Sequence, residues 1–278
     1  MQRREFVLTA AAVGTAVGTG GIIDTHTHFY DPTRPQGVPW PPKEEAWLYR
    51  RVLPADYQRL ARPLGVAGTV VVEASAWLED NQWVLDLARE EPFLLGLVGH
   101  LDPGRPEFRR HLERFRKNAL FLGIRVGEPE LRPPYTEDFD RLSDAGLELD
   151  VMIPASSYAD LTRFADRFPK LRIVLNHLPL APAGDAAALR ELGQRPLVFA
   201  KVSGDLRAAP RGVLDEIWEI FGEDRVIYGS NWPVSDRYAT YAEVQKAAAA
   251  FVAGKGARAA EKYFRENSRR AYRWRERA

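Results

Sequence analysis

The sequence predicts an α/β protein folded as a single closed (β/α)8 TIM barrel, and three observations predict it. From Ile22 onward, short β-branched runs alternate with segments of helical period. The runs are apolar on both faces, as parallel strands covered by helices must be. There are eight of them, at 22–26, 69–74, 94–100, 121–126, 148–153, 171–176, 197–203 and 225–230. An open doubly wound sheet is the alternative. No Gly-x-Gly-x-x-Gly follows the first run, which counts against a dinucleotide site.

Between the runs, apolar residues recur at helical spacing. Tyr57, Leu60, Ala61 and Leu64 form one face, and Trp83, Val84, Leu87 and Ala88 a second. Phe108, Leu112 and Phe115 form a third, followed by Leu161, Phe164, Ala165 and Phe168. Leu214, Ile217, Ile220 and Phe221 come next, and Tyr241, Val244, Phe251 and Val252 follow the last run. The alternation amounts to eight helices for eight strands. Its 278 residues suit one such barrel, which needs about 250.

Composition narrows the function. The 39 basic and 38 acidic side chains leave a formal charge of +1, which offers no electrostatic footprint for nucleic acid or an anionic membrane. Cysteine is absent, so disulfides and thiolate metal sites are excluded and any metal rests on imidazole and carboxylate. The expected partner is a small-molecule substrate. A homodimer is compatible with amphipathic helices around a barrel, though no helix is apolar enough all round to demand one.

Residues 1–21 read differently. Arg3-Arg4-Glu5-Phe6-Val7-Leu8 followed by an Ala/Gly/Thr-rich stretch resembles a twin-arginine signal peptide, which implies export to the periplasm. No clear Ala-x-Ala site precedes Ile22, and a plain leader in a cytoplasmic protein is the alternative. The stretch is too short and mild for a stable membrane span. The barrel domain is then 22–278.

Two other segments stand out. Residues 29–53 hold Pro32, Pro35, Pro39, Pro41 and Pro42 with Trp40, Trp47 and Tyr49. Proline stiffens such a loop, and its place after the first strand puts it over the catalytic end of a barrel. It is expected to wall the pocket, with Trp40 and Tyr49 as substrate contacts; a surface loop stapled by its aromatics is the plainer alternative. The tail from Arg258 to Arg277 reads as a packed terminal helix with a solvated charged face.

Chemistry concentrates at strand ends. The chain has five histidines, His26, His28, His100, His111 and His177, and four close strand-like runs. His26 and His28 are two residues apart on one strand, so both project to one side, as half of a metal or acid/base site requires. Glu73 ends the second strand, His100 the third and Arg125 the fourth. Asn176 and His177 end the sixth, Lys201 and Ser203 the seventh, Ser230 and Asn231 the eighth, whereas the fifth offers only Met152 and Pro154. A barrel with no function has no reason to gather polar groups on one rim. Arg125 and Lys201 are candidates to clamp a lactone or carboxylate, or to pair with Glu73, and His100 is a candidate substrate contact. His111, on a charged helix, is expected to be inert.

Five segments in order carry a family resemblance: Ile23-Asp24-Thr25-His26-Thr27-His28, Gly123-Ile124-Arg125, Val174-Leu175-Asn176-His177, Lys201-Val202-Ser203-Gly204 and Tyr228-Gly229-Ser230-Asn231-Trp232-Pro233-Val234. Across 22–275 the chain resembles the amidohydrolase superfamily, in its amidohydrolase-related branch of TIM-barrel hydrolases. That branch contains sugar-lactone lactonases and 2-pyrone-4,6-dicarboxylate lactonase. The resemblance implies attack of an activated water on a lactone or ester carbonyl, with or without a divalent metal. It matches His26 and His28 to the strand-one pair and His177 to the later histidine that binds metal or polarises the carbonyl.

Asn231 falls where most relatives have an aspartate that deprotonates water. An amide cannot act as a base, so Asn231 is expected to orient water or substrate, with Glu73, His177 or Asp236 taking the proton. The superfamily's strand-five histidine is missing, which argues against two metals. The resemblance implies a single zinc held by His26, His28 and either Glu73 or His177, with a metal-free site as the rival. A metal-dependent decarboxylase and a non-catalytic binding barrel are the competing functions.

Overall fold

The structure, a computed structural model, describes residues 20–178, 186–210 and 212–277. Eight strands form one parallel sheet in sequence order: β1 (Ile22–Thr27), β2 (Val66–Val72), β3 (Leu94–Gly99), β4 (Phe121–Val126), β5 (Glu148–Val151), β6 (Arg172–Leu178), β7 (Val198–Val202) and β8 (Val226–Tyr228). A helix follows each: α1 (Pro54–Ala61), α2 (Leu78–Glu90), α3 (Phe108–Phe115), α4 (Asp138–Asp144), α5 (Tyr158–Arg167), α6 (Ala186–Gly193), α7 (Val213–Phe221) and α8 (Tyr241–Ala253). The expected (β/α)8 barrel is the fold. The expected leader lies outside the described residues, except for Gly20 and Gly21.

The seam between β1 and β8 shows why the polar residues of β1 matter to the fold. β8 is only three residues long, too short for a full ladder. One parallel bridge joins Thr27 to Trp232, and the His28 amide donates to the Trp232 carbonyl at 2.9 Å. Side chains supply the rest. The Thr25 hydroxyl donates to the Tyr228 carbonyl, and the Ser230 amide donates to Asp24 Oδ1 at 2.8 Å. The expected strand at 225–230 stops at Tyr228: the Gly229 amide still donates to the Val202 carbonyl of β7, but the Ser230 amide turns to the Asp24 side chain instead of continuing the ladder. β6 runs past the expected 176 and carries His177 within the strand.

Two apolar layers flank the sheet. The outer one packs the strands against residues such as Tyr57, Phe108, Leu112, Leu161 and Phe164, on the helix faces that the periodicity marks. Leu60 is an exception at 44% exposed; α1 ends at Ala61 and turns its Tyr57–Ala61 edge inward. The inner layer fills the barrel with Ile23, Val70, Val98, Val174, Phe199 and Ile227, and also with Ala271, Tyr272 and Trp274 from the tail. That tail is α9 (Ala257–Glu261), a π turn (Lys262–Glu266) and α10 (Asn267–Tyr272). It is anchored where the strands begin: Asn267 Nδ2 donates to the Val226 carbonyl at 2.9 Å, and the Arg172 guanidinium to the Ala271 carbonyl at 2.7 Å. The tail plugs one end of the barrel and leaves the other for chemistry. Among the described residues, no helix is long and apolar enough to cross a membrane.

Candidate active site

His26 and His28 sit at the end of β1, which is irregular between Asp24 and Thr27. Their rings stand edge to face, with centroids 4.9 Å apart. His177, from β6, places its ring 4.4 Å from that of His26. Histidines distant in sequence thus meet in one place. Two residues here adopt left-handed backbone conformations uncommon for anything but glycine: His177 at φ 62° and Asn231 at φ 61°. Gly229 permits the approach of β8, since a Cβ there would lie 2.8 Å from His26 Cβ.

Each ring is held from behind. His28 Nδ1 lies 2.9 Å from the Val72 carbonyl oxygen, which can only accept, so Nδ1 carries the hydrogen and Nε2 keeps its lone pair. The Asn231 amide lies beside the same ring. His177 Nδ1 lies 3.0 Å from Ser203 Oγ. Lys201 Nζ is 3.4 Å from His26 Nδ1, while His26 Nε2 is buried with no hydrogen-bond partner. Burial pulls all three imidazoles down, and the positive charge of Arg125 pushes the same way on each, with that of Lys201 adding to it for His26 and His177: His28 falls to about 3, and His26 and His177 well below the ordinary value. All three are neutral at working pH.

Beneath His26 lies a polar group that periodicity did not locate. Lys201 is fully buried and pairs with Asp150 at 2.8 Å, and the Tyr272 hydroxyl donates to the other Asp150 oxygen at 2.9 Å. Lys201 is therefore engaged in an internal ion pair, and its partner is Asp150 rather than Glu73. Burial and the neighbouring Asp150 push the carboxyl of Glu148 well up, so it stays neutral beside that pair. Asp150 lies two residues before Met152 and so on the same face of β5, a signal the sequence did contain.

Glu73 is committed elsewhere. Its carboxylate holds the Arg125 guanidinium at 2.7 Å, and Arg125 also donates to the Glu73 carbonyl at 3.1 Å. The pair lines a cleft of about 170 Å³ with His100, Asp102, Glu130 and Met152. His100 thus reaches the rim, where Asp102 lies 3.1 Å from its Nε2. The 29–53 loop folds over this end. Trp40 packs edge-on against His28 at 5.7 Å and Tyr30 at 5.3 Å, and Arg34 pairs with Asp80 at 2.8 Å. Tyr49 is half-buried in the loop, and no hydrogen bond or ring contact ties it to the histidines. Asp236, a candidate base, faces Arg50 at 3.4 Å, in a pair that helps hold the loop down.

Asp24 underpins the site. It is fully buried and accepts hydrogen bonds from the amides of His26 and Ser230 and from the hydroxyls of Tyr57 (2.6 Å) and Tyr241 (3.2 Å). One carboxylate thereby ties β1 to β8, α1 and α8.

A model of the amidohydrolase family matches residues 23–274. The chain belongs to the amidohydrolase family. It is 32% identical to an L-fucono-1,5-lactonase of Burkholderia ambifaria over 77% of this chain and 80% of that one. An L-fucono-1,5-lactonase of Burkholderia multivorans is 28% identical, over 80% and 85%. Among solved structures, an amidohydrolase from Burkholderia multivorans with bound zinc superposes with a TM-score of 0.77 at 25% identity, covering 91% of this chain and 99% of that one. This chain is an amidohydrolase-family hydrolase, and the fold resemblance read from its motifs extends to the family itself.

The expected zinc ligands can be tested against these positions. Glu73 is engaged by Arg125, so it is not free to bind metal beside His26, His28 and His177. Among the described residues, no group of three or more His, Asp or Glu side chains is placed to hold a metal ion. The four-residue set does not fit a metal as it stands.

Proposed function

We propose that this amidohydrolase opens a small polyhydroxylated lactone, of the sugar-derived 1,5-lactone type, to its acid. The observation that carries the reading is the gathering of three neutral imidazoles, one with an unpartnered buried nitrogen, at the open end of the barrel. His28 Nε2, which keeps its lone pair, takes a proton from water as the water oxygen bonds to the lactone carbonyl carbon. The carbonyl π pair moves to oxygen. Collapse of that intermediate breaks the ring C–O bond, and the leaving alkoxide takes the proton from His28. A base this depressed works because the developing oxyanion beside it favours the imidazolium. Asn231 orients the water, His177 stands against the carbonyl, and the Arg125–Glu73 pair with His100 offers the rim cleft both donors and acceptors for ring hydroxyls. Trp40 walls the pocket.

The test is acid release from a panel of aldonolactones, L-fucono-1,5-lactone included, corrected for spontaneous opening and run with and without a chelator. Turnover at kcat/KM of about 10⁴ M⁻¹s⁻¹ or more, surviving chelation, is expected. Carbon dioxide from carboxylic acid substrates would make the chain a decarboxylase, and tight binding without turnover a binding barrel. Zinc belongs to the rival form of this reading, and its support is the zinc-bound neighbour; activity lost on chelation and regained with zinc would favour it.

The pH profile is a separate expectation. Because burial keeps the imidazoles neutral, kcat/KM stays level from about pH 8 to pH 5 instead of halving near 6.5, the ordinary histidine value. The acid limb appears only as pH approaches the His28 value of about 3, where protonation removes the lone pair. A single inflection near 6.5 would contradict the assignment. We also propose periplasmic export through the twin-arginine route on the strength of Arg3-Arg4, which cell fractionation checks: protein confined to the cytoplasm would sink it.

A further inference from the structure

The His26 ring has a buried cation within 3.4 Å of its Nδ1. Lys201 Nζ lies 2.8 Å from Asp150 Oδ2 and 3.4 Å from His26 Nδ1, and Tyr272 holds the other Asp150 oxygen at 2.9 Å. Lys201, Asp150 and His26 are all 0% exposed. The buried Asp150 carboxylate requires a counter-charge at that distance, and it opposes the pull of burial on the Lys201 ammonium. An ammonium has N–H donors and no lone pair. Facing it, His26 Nδ1 can only accept, so the hydrogen of the neutral ring resides on Nε2. That same Nε2 is buried with no partner among the described residues. A buried N–H left unpaired is costly, which makes this donor one that gains by meeting an acceptor.

We infer that the Asp150–Lys201 pair is a positioning device that fixes His26 as its Nε2–H tautomer, so that His26 donates to the substrate carbonyl oxygen. The same tautomer closes His26 to a divalent metal, which would need the lone pair on that nitrogen. His28 is set the opposite way by the Val72 carbonyl. Two histidines of one strand therefore present a donor and an acceptor to one space, where the carbonyl oxygen and the attacking water belong. The choice of carbonyl as acceptor rests on the lactone-hydrolase reading; the tautomer does not.

The experiment is long-range ¹H–¹⁵N correlation on histidine-labelled protein, with the His26 signals identified by their loss in His26→Gln. The wild type is expected to show His26 protonated at Nε2 alone, and to keep that signal when zinc is added. Lys201→Met removes the donor behind the ring, so the tautomer preference is lost and kcat falls about 10²-fold while KM changes little. Because that variant strands the Asp150 charge, Lys201→Met/Asp150→Asn is measured beside it. The double variant keeps a neutral, filled interior and is expected to show the same tautomer change and the same fall in kcat. His26 found as Nδ1–H in the wild type, loss of its Nε2 proton to zinc, or an unchanged tautomer in both variants would each overturn the inference. If no lactone is hydrolysed while the wild-type tautomer is as stated, the lactonase reading fails and the positioning role stands.

Discussion

The His26→Ala/His28→Ala variant is expected to lose lactone hydrolysis by about 10⁴-fold in kcat/KM while remaining folded. The two rings contribute different things, a proton acceptor and a group facing the carbonyl, and each of these is worth about 10²-fold or more. Effects within one catalytic unit do not simply multiply, so the double variant is bounded by whatever binding and Asn231 still supply. The fold should survive because the hydrogen bonds at this seam run through the His28 backbone and through Asp24 and Thr25, not through the imidazoles. Circular dichroism and a thermal melt beside the activity assay check both halves. Full activity in this variant would remove the imidazoles from the mechanism.

Asp24→Ala should act in the opposite sense, on stability before chemistry. The substitution leaves two backbone amides and two tyrosine hydroxyls without their acceptor, in a place with no solvent access. Stranded buried donors make a cost of about 3–5 kcal/mol the expected scale, and in a protein of this size that lowers the melting temperature by about 10 °C. Activity at low temperature should fall as well, because the His26 amide is one of the orphaned donors. A variant within about 1 kcal/mol of wild type in chemical denaturation would show that the seam closes without Asp24.

The contrast between Asp24 and His26, two neighbours in one motif, shows what the sequence made legible. Strand periodicity places His26 and His28 on one side, and the structure has both there. Periodicity gives a face but not a depth. Lys201 and Glu73 both come from strand ends, where opposite charges suggest a pair. In the barrel, Lys201 lies a layer below the rim, level with Asp150, while Glu73 meets Arg125 at the mouth. For Asp150, within the β5 run, the two-residue spacing from Met152 gives a face but neither a depth nor a partner. Its partners come from β7 and from Tyr272, in a tail whose burial inside the barrel depends on tertiary packing alone. Trp40 and Tyr49 divide in the same way: both sit in the proline-rich loop, and only the path of that loop decides which one meets His28.

The most direct test of the account is a crystal structure with a non-hydrolysable lactone analogue, such as the corresponding lactam. The carbonyl oxygen is expected within hydrogen-bonding distance of His26 Nε2, with His28 Nε2 facing the carbonyl carbon across the space for one water and Trp40 covering the ring. An analogue bound instead in the cleft formed by Phe168, Gln194 and Arg195, with the three imidazoles untouched, would contradict it.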